Sequence, residues 1–181
     1  MKRPAFFFDR DGVVNVDPDP QPYVLSWDQW EWTPGIFDLL REVKARGFAT
    51  VLVTSQRCVS KDLITRTDLD AIHANMQRDL GDLAFDAIRV YTGVPNDPVL
   101  PKPEPQMVFS AAEELDLDLG RSWLIGDADR DIAMADAAGV THTIRVIGLK
   151  QATVTADYEV RELAQVGELL REILGPLPVA S

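Results

Sequence analysis

The chain has 181 residues, of which 46% are hydrophobic and 26% charged, and its formal net charge is −11. This length suits a single domain, and no apolar run is long enough to span a bilayer. The acidic total disfavours nucleic acid as a partner, because a phosphate backbone has to be neutralised by lysine and arginine. The start of the chain lacks the pattern of a signal peptide, and its one cysteine permits no internal disulfide. We therefore expect a cytoplasmic protein.

Short apolar runs alternate with amphipathic segments along the chain. The predicted strands are residues 5–8, 48–54, 87–93, 122–127, 143–148 and 158–160. The predicted helices are residues 33–47, 67–80, 105–117, 129–139 and 161–175. We expect Thr33 to be the N-cap of the first helix, and Thr67 with Asp70 to form a capping box at the second.

Strands separated by helices form βαβ units, which predicts an α/β fold with a doubly wound parallel sheet. One domain would span residues 1–175, and residues 176–181 would form a flexible tail. Two irregular segments, residues 16–32 and 94–104, follow the first and third strands. Loops at the carboxyl ends of parallel strands are where ligands bind in such sheets. Neither segment is long enough to form a separate cap domain.

Polar side chains lie where the predicted strands end. The first strand runs into Asp9 and Asp11, whose carboxylates can point the same way if the chain stays extended. Two close carboxylates repel each other unless something cationic lies between them. The other polar positions at the same edge of the sheet are Thr54, Ser55, Lys102, Asp127 and Asp131. Each alone has a structural explanation, such as a loop aspartate or an acidic first helical turn. Their order along the chain indicates a common site.

This ordered set resembles the haloacid dehalogenase superfamily of phosphatases. Those proteins carry the motifs hhhhDxDG, hhhT/S, a lysine and GDxxxD on a doubly wound sheet. The matching stretches here are FFFDRDG, VLVTS, Lys102 and GDADRD. Within the superfamily, DRDGVVNVD and VTSQ look most like the D-glycero-D-manno-heptose-bisphosphate phosphatase and histidinol-phosphatase group. The resemblance implies hydrolysis of a phosphate monoester on a small phosphorylated metabolite, namely a sugar phosphate or bisphosphate.

The resemblance also implies a mechanism that depends on Mg²⁺. Asp9 would attack phosphorus and form an aspartyl-phosphate, and Asp11 would protonate the leaving oxygen and then take a proton from water. Mg²⁺ would bind the carboxylates of Asp9 and Asp127 and the backbone carbonyl of Asp11, because it prefers oxygen ligands.

Further residues would bind the phosphoryl group and the substrate. Thr54, the backbone of Ser55 and Lys102 would hold phosphoryl oxygens. Asp131 would steer Lys102 or a metal-bound water. By their positions in the group, the candidate substrate contacts are Asp17, Tyr23, Gln56 and Arg57.

Two features depart from the heptose group. Many of its members carry a zinc loop of cysteine and histidine just before the motif lysine, but residues 94–104 contain neither, so we expect no structural zinc. The group often has an arginine before that lysine to reach a second phosphate, whereas Pro101 stands there in this chain. We expect Cys58 to be a small buried residue and His73 to lie on a solvated helix face.

Three alternatives remain at this point. A phospho-acceptor receiver domain also uses acidic residues, a hydroxyl and a lysine around Mg²⁺, although its phosphorylated aspartate normally follows the third strand. A polynucleotide 3′-phosphatase shares a TNQ-like motif, and a non-catalytic relative could serve as a binding module. The acidic charge and the complete set of candidate catalytic residues favour a phosphatase of small metabolites. We expect a monomer or small homo-oligomer that binds neither nucleic acid nor membrane.

Overall fold

The three consecutive phenylalanines near the start of the chain pack on both faces of one sheet. The computed structural model describes residues 2–18, 20–148 and 150–177. Phe6 and Phe8 belong to one hydrophobic cluster and Phe7 to another, and all three are fully buried. Successive side chains of a strand point to opposite faces, so a strand covered on both sides is a continuous apolar run.

All paired strands in the sheet run parallel. The strands are β1 (Ala5–Phe8), β2 (Ala49–Ser55), β3 (Ala87–Tyr91), β4 (Trp123–Gly126), β5 (His142–Val146) and β6 (Tyr158–Val160). Their spatial order is β3-β2-β1-β4-β5-β6. The chain builds outward from β1 through β2 and β3 and then crosses to β4 on the other side. The carboxyl ends of β1 and β4 therefore form a topological switch point, where such sheets bind ligands.

Helices cover both faces of the sheet, which confirms the predicted doubly wound α/β fold. They are α1 (Ile36–Ala45), α2 (Arg66–Leu80), α3 (Gln106–Glu114), α4 (Asp129–Ala138) and α5 (Leu163–Leu174). Helices α1, α2 and α5 contribute to the cluster around Phe6 and Phe8, and α3 and α4 contribute to the cluster around Phe7. No helix in the described ranges is long and apolar enough to cross a membrane. The assignment of residues 1–175 to one domain stays a prediction, and residues 178–181 of the predicted tail lie outside the described residues.

The predicted N-cap of α1 is wrong. The backbone N–H of Thr33 donates to the carbonyl of Val14 at 3.2 Å, so this residue is tied to the loop after β1. The helix begins only after Gly35, which is the N-cap and has φ of 88°. A left-handed residue at this position suits glycine, because it has no Cβ to clash with its own backbone.

The predicted capping box of α2 is also wrong, by two residues. Thr65 accepts a hydrogen bond from the backbone of Asp68, and the Asp68 carboxylate accepts one from the Thr65 backbone. Asp70 instead forms an ion pair with Arg66 at 2.8 Å. The stretch TRTDLD offers the same threonine-to-aspartate spacing in two registers, so local spacing alone does not choose between them.

The segment of residues 16–32 is anchored by aromatic packing. Trp27 and Trp30 stack with ring centroids 5.3 Å apart, and Trp32 packs edge-on against both Trp30 and Phe37. The indole N–H of Trp32 donates to Asp79 of α2 at 2.8 Å. The tryptophans therefore hold this segment against α1 and α2, beside the end of β1.

Candidate active site

Lys102 joins two buried carboxylates at the carboxyl edge of the sheet. Its Nζ lies 2.6 Å from Oδ1 of Asp9 and 2.6 Å from Oδ1 of Asp131. Asp9 directly follows β1, Asp131 lies in the first turn of α4, and Lys102 lies in the loop between β3 and α3. All three are less than 10% exposed. Burying charges is costly and contributes little net stability, so this arrangement is typical of a functional site.

Asp127 adds a third carboxylate to this cluster. One oxygen from each of Asp9, Asp127 and Asp131 lies within 4.8 Å of the others. Oδ2 of Asp127 accepts a hydrogen bond from Lys150, whereas its buried Oδ1 has no partner among the described residues. Three carboxylates against the two ammoniums of Lys102 and Lys150 leave one negative charge in excess. An unpartnered carboxylate oxygen and this excess charge fit a hard divalent cation, which binds oxygen ligands.

The pKa values of the cluster reflect the crowding of these charges. The pKa of Asp9 is raised to about 7, because burial and the negative charges of Asp131 and Asp127 together outweigh the attraction of Lys102. Burial also raises the pKa of Asp127, against the attraction of Lys150. Burial would lower the pKa of Lys102, but its two carboxylate partners outweigh burial and raise it. Lys102 therefore stays charged. Because Asp9 and Asp131 share its single ammonium, their mutual repulsion is not fully offset.

The carboxylate of Asp11 is held by different donors. It accepts hydrogen bonds from Arg10 Nη2 at 2.9 Å, Asn15 Nδ2 at 3.0 Å and Gln56 Nε2 at 2.8 Å. Two separate cations offset these neighbouring carboxylates: Lys102 pairs with Asp9, and Arg10 pairs with Asp11. Burial would raise the pKa of Asp11, but the Arg10 charge and the three donors outweigh burial and lower it.

Three residues around Asp11 are not among the site residues predicted from the sequence, namely Asn15, Arg10 and His73. Arg10 is fully buried; its Nη1 lies 3.3 Å from Nε2 of His73, and its guanidinium lies 5.7 Å from the ring centre of Trp30. His73 is only 6% exposed, so its predicted position on a solvated face is wrong. The sequence of α2 contained the signal, because His73 falls four residues after Leu69 and three before Met76, on the buried stripe.

The end of β2 connects to Asp11 through Gln56. Thr54 is buried, and its Oγ1 accepts a hydrogen bond from Gln56 Nε2 at 2.8 Å. The same amide nitrogen reaches Asp11, and Gln56 is fully buried. Gln56 is therefore placed inside the site, where it bridges Thr54 and Asp11, and not on the open surface expected of a substrate contact. Ser55 is half-buried, and Cys58 is buried as predicted.

The other predicted substrate contacts lie at the mouth of the site or farther out. Asp17 is exposed and lies 3.3 Å from Lys150. The half-buried ring of Tyr23 lies under the ammonium of Lys61, 5.0 Å from its centre. Arg57 is exposed just after β2. The structure thus brings Asp17 near Asp127 through Lys150 and leaves Tyr23 and Arg57 at the surface.

The loop between β3 and Lys102 is organised by one aspartate. The carboxylate of Asp97 accepts hydrogen bonds from both the backbone and hydroxyl of Thr92, and from the backbones of Gly93 and Val99. In the described part of the chain, the side chains that lie close enough together to hold a metal ion are Asp9, Asp127 and Asp131, and this cluster contains no cysteine or histidine. The hydrogen bonds of Asp97 thus account for the shape of a loop that carries Lys102 into the site.

One class of phosphate-transferring hydrolases is defined by a parallel sheet with an aspartate after its first strand, a buried lysine, and a second pair of aspartates later in the chain. Here these are Asp9, Lys102, Asp127 and Asp131. The family model described as haloacid dehalogenase-like hydrolase matches residues 5–139. The chain belongs to this family, and it is a phosphatase. This membership separates it from the receiver domains considered above.

Individual members of the family show which phosphatases the chain is similar to. The chain is 31% identical to D-glycero-beta-D-manno-heptose-1,7-bisphosphate 7-phosphatase of Escherichia coli strain K12, over 93% of this chain and 94% of the relative. It is 31% identical to D-glycero-alpha-D-manno-heptose-1,7-bisphosphate 7-phosphatase of Burkholderia mallei, over 81% of each. The crystal structure of D,D-heptose 1,7-bisphosphate phosphatase from B. bronchiseptica, complexed with magnesium and phosphate, superposes with a TM-score of 0.77 at 30% identity. That match covers 95% of this chain and 99% of the other.

Proposed function

We propose that the chain hydrolyses a phosphate monoester of a small phosphorylated sugar, including sugar bisphosphates, by forming a covalent phosphate on Asp9. The observation that carries the proposal is the ammonium of Lys102, 2.6 Å from both Asp9 and Asp131, beside the unpartnered oxygen of Asp127. The relatives named for heptose bisphosphates support a sugar substrate, and the relative solved with magnesium and phosphate supports the site.

Asp9 would be the nucleophile. In the first step a carboxylate oxygen of Asp9 forms a bond to phosphorus as the bond from phosphorus to the sugar oxygen breaks. Lys102 lies against Asp9, so its ammonium would neutralise charge on the phosphoryl oxygens as they approach. Thr54 and the backbone of Ser55, at the end of the neighbouring strand, would hold the same group. Water then attacks phosphorus, which releases inorganic phosphate and restores the Asp9 carboxylate.

Asp11 would move the protons. It donates one to the departing sugar oxygen and later takes one from the attacking water. With Arg10, Asn15 and Gln56 as donors its carboxylate favours the ionised form, which suits the second role. A phosphate dianion bound next to Asp11 would raise its pKa by like-charge repulsion, which suits the first.

Mg²⁺ would be held by the carboxylates of Asp9 and Asp127 and by the backbone carbonyl of Asp11. When bound, it would screen the negative charge of the phosphate from the attacking carboxylate. Asp131 is engaged elsewhere, because its two oxygens accept from Lys102 and from the backbone N–H of Ala128 at 3.1 Å. We therefore assign Asp131 to orienting Lys102.

Rapid quenching tests the covalent step. With Mg²⁺ and p-nitrophenyl phosphate, whose leaving group scarcely needs an acid, the Asp11→Asn variant should accumulate phosphate on Asp9. Its steady-state turnover should fall by about 10²–10⁴-fold. Asp9→Asn should trap no phosphate, and Asp38→Asn, an exposed aspartate of α1, should behave as the unmodified protein. Peptide mass spectrometry locates the label, and phosphate on any other residue would mean that the nucleophile is wrong.

A further inference from the structure

A cavity opens from the metal-binding side of the site toward the loop after β5. Its volume is about 570 Å³, which is in the range of small-molecule sites. Gly12 and Asp127 line its inner end, so it begins next to the place where Asp9 would bind the phosphoryl group. Much of its wall is apolar, including Val16, Val146 and Ile147. The part of a substrate that extends beyond the reacting phosphate has room here.

Lys150 is the one cation among the described residues that line this cavity. Its ammonium pairs with Asp127 and lies 3.3 Å from Oδ2 of Asp17. An ammonium has three N–H donors, and no third partner of Lys150 occurs in the described ranges. One donor is thus available to a ligand without loss of either carboxylate contact.

We propose that Lys150 is a specificity-determining residue that binds a second anionic group of the substrate, a phosphate or a carboxylate remote from the reacting ester. This inference rests on the proposed function, in which Asp127 is a ligand of Mg²⁺ and its charge is offset by the metal. Among the described residues, the exposed carboxylate of Asp17 is then the remaining charge that offsets Lys150, so this end of the cavity becomes less negative. A neutral sugar would gain little from a charged donor there, whereas an anionic group would form a charge-assisted hydrogen bond.

Binding to the Asp9→Asn variant tests this without turnover. Calorimetry in the presence of Mg²⁺ compares three probes: glucose 6-phosphate, glucose 1,6-bisphosphate and 6-phosphogluconate. Each is titrated into Asp9→Asn alone and into the same variant with Lys150→Met or Lys150→Arg. Lys2→Met in that background is the control, because it removes the same charge from an exposed residue beside the amino end of β1.

Two of the probes, glucose 1,6-bisphosphate and 6-phosphogluconate, carry a second anionic group. Lys150→Met should weaken binding of at least one of these two by on the order of 10-fold, which is the effect of one charge-assisted hydrogen bond. Binding of glucose 6-phosphate should weaken by less than about 3-fold, and Lys150→Arg should retain most of the affinity, because a charged donor remains. Comparing the losses for glucose 1,6-bisphosphate and 6-phosphogluconate shows whether the second anionic group is a phosphate or a carboxylate.

Three results would overturn the inference. The first is that Lys150→Met weakens binding of all three probes equally, which would mean that Lys150 acts only through Asp127. The second is that it weakens binding of none. The third is that neither probe with a second anionic group binds measurably to Asp9→Asn. Failure of the proposed function has a different signature, because the unmodified protein would then release no phosphate from any of the three.

Discussion

The buried guanidinium of Arg10 lies 3.3 Å from Nε2 of His73, a residue 63 positions away on α2. Because arginine only donates, this nitrogen of His73 has to accept, and the imidazole has to be neutral. Burial and the charge of Arg10 together lower the pKa of His73 to about 3. The opposite edge of Arg10 holds Asp11, so His73 is linked to a candidate catalytic residue through Arg10.

The neutral state of His73 predicts a loss of stability in acid. The unfolded chain binds a proton at an ordinary histidine pKa of about 6.5, while the folded chain resists protonation until about 3. Stability from this residue is therefore complete above the unfolded pKa and is lost as the pH falls. His73→Gln keeps an acceptor for Arg10 and cannot be protonated. Denaturant unfolding should show up to about 3 kcal/mol less loss between pH 7 and pH 4 in this variant.

The control for that comparison is His142→Gln, which removes the other histidine of the chain. Identical pH dependence of unfolding in the unmodified protein and His73→Gln would contradict the buried, neutral assignment.

Gly12 is expected to be required for a second reason besides its backbone conformation. It has φ of +86°, and a Cβ at this position would collide with Oδ2 of Asp127. Gly47 has a similar φ of +82°, but its Cβ would meet nothing within 4 Å. Alanine at either position should cost about 1–2 kcal/mol of stability through the left-handed backbone. Only Gly12→Ala should also displace Asp127, lowering kcat/KM by at least about 10-fold. Equal activity of the two variants would show that Asp127 tolerates the displacement.

Metal binding should depend on Asp127 and on pH. EDTA should abolish phosphate release, and Mg²⁺ should restore it. Asp127→Asn should weaken Mg²⁺ binding by at least about 10-fold in calorimetry, because even the loss of a residue that only hydrogen-bonds a metal ligand costs about 10–100-fold. The control is Asp136→Asn, an exposed aspartate of α4. Because burial raises the pKa of Asp9 to about 7, protons compete with the metal below that pH, and affinity should rise from pH 6 to pH 8. Full activity after exhaustive chelation would refute the site.

The loop before Lys102 is expected to keep its shape through Asp97 and without zinc. Elemental analysis of the purified protein should find well below one zinc per chain. Asp97→Ala removes the acceptor for four donors on Thr92, Gly93 and Val99, so limited proteolysis should cut this loop faster and activity should fall. Asp82→Ala, an exposed aspartate of the short turn after α2, is the control. About one tightly bound zinc per chain, or an unchanged rate of cleavage in Asp97→Ala, would contradict this account.

The sequence by itself determined the fold class and the edge of the sheet at which the site lies. The apolar run of residues 5–8 and the apolar faces of the helices indicate which positions are buried. They do so through the spacing of apolar residues, which depends only on backbone geometry. Alternation of strand and helix then requires parallel pairing, and parallel pairing brings Asp9, Thr54 and Asp127 to one edge. Those positions follow from counting along the chain, with no knowledge of side-chain contacts.

Only the tertiary structure decided which charged groups meet. Arg10 pairs with Asp11 and His73, Gln56 turns inward, and Lys150 reaches Asp127, a residue 23 positions before it. These partnerships depend on how loops from different strands approach one another in a region shielded from water. There, each buried charge has to find a partner to offset its desolvation, and local periodicity carries no information about which partner is within reach.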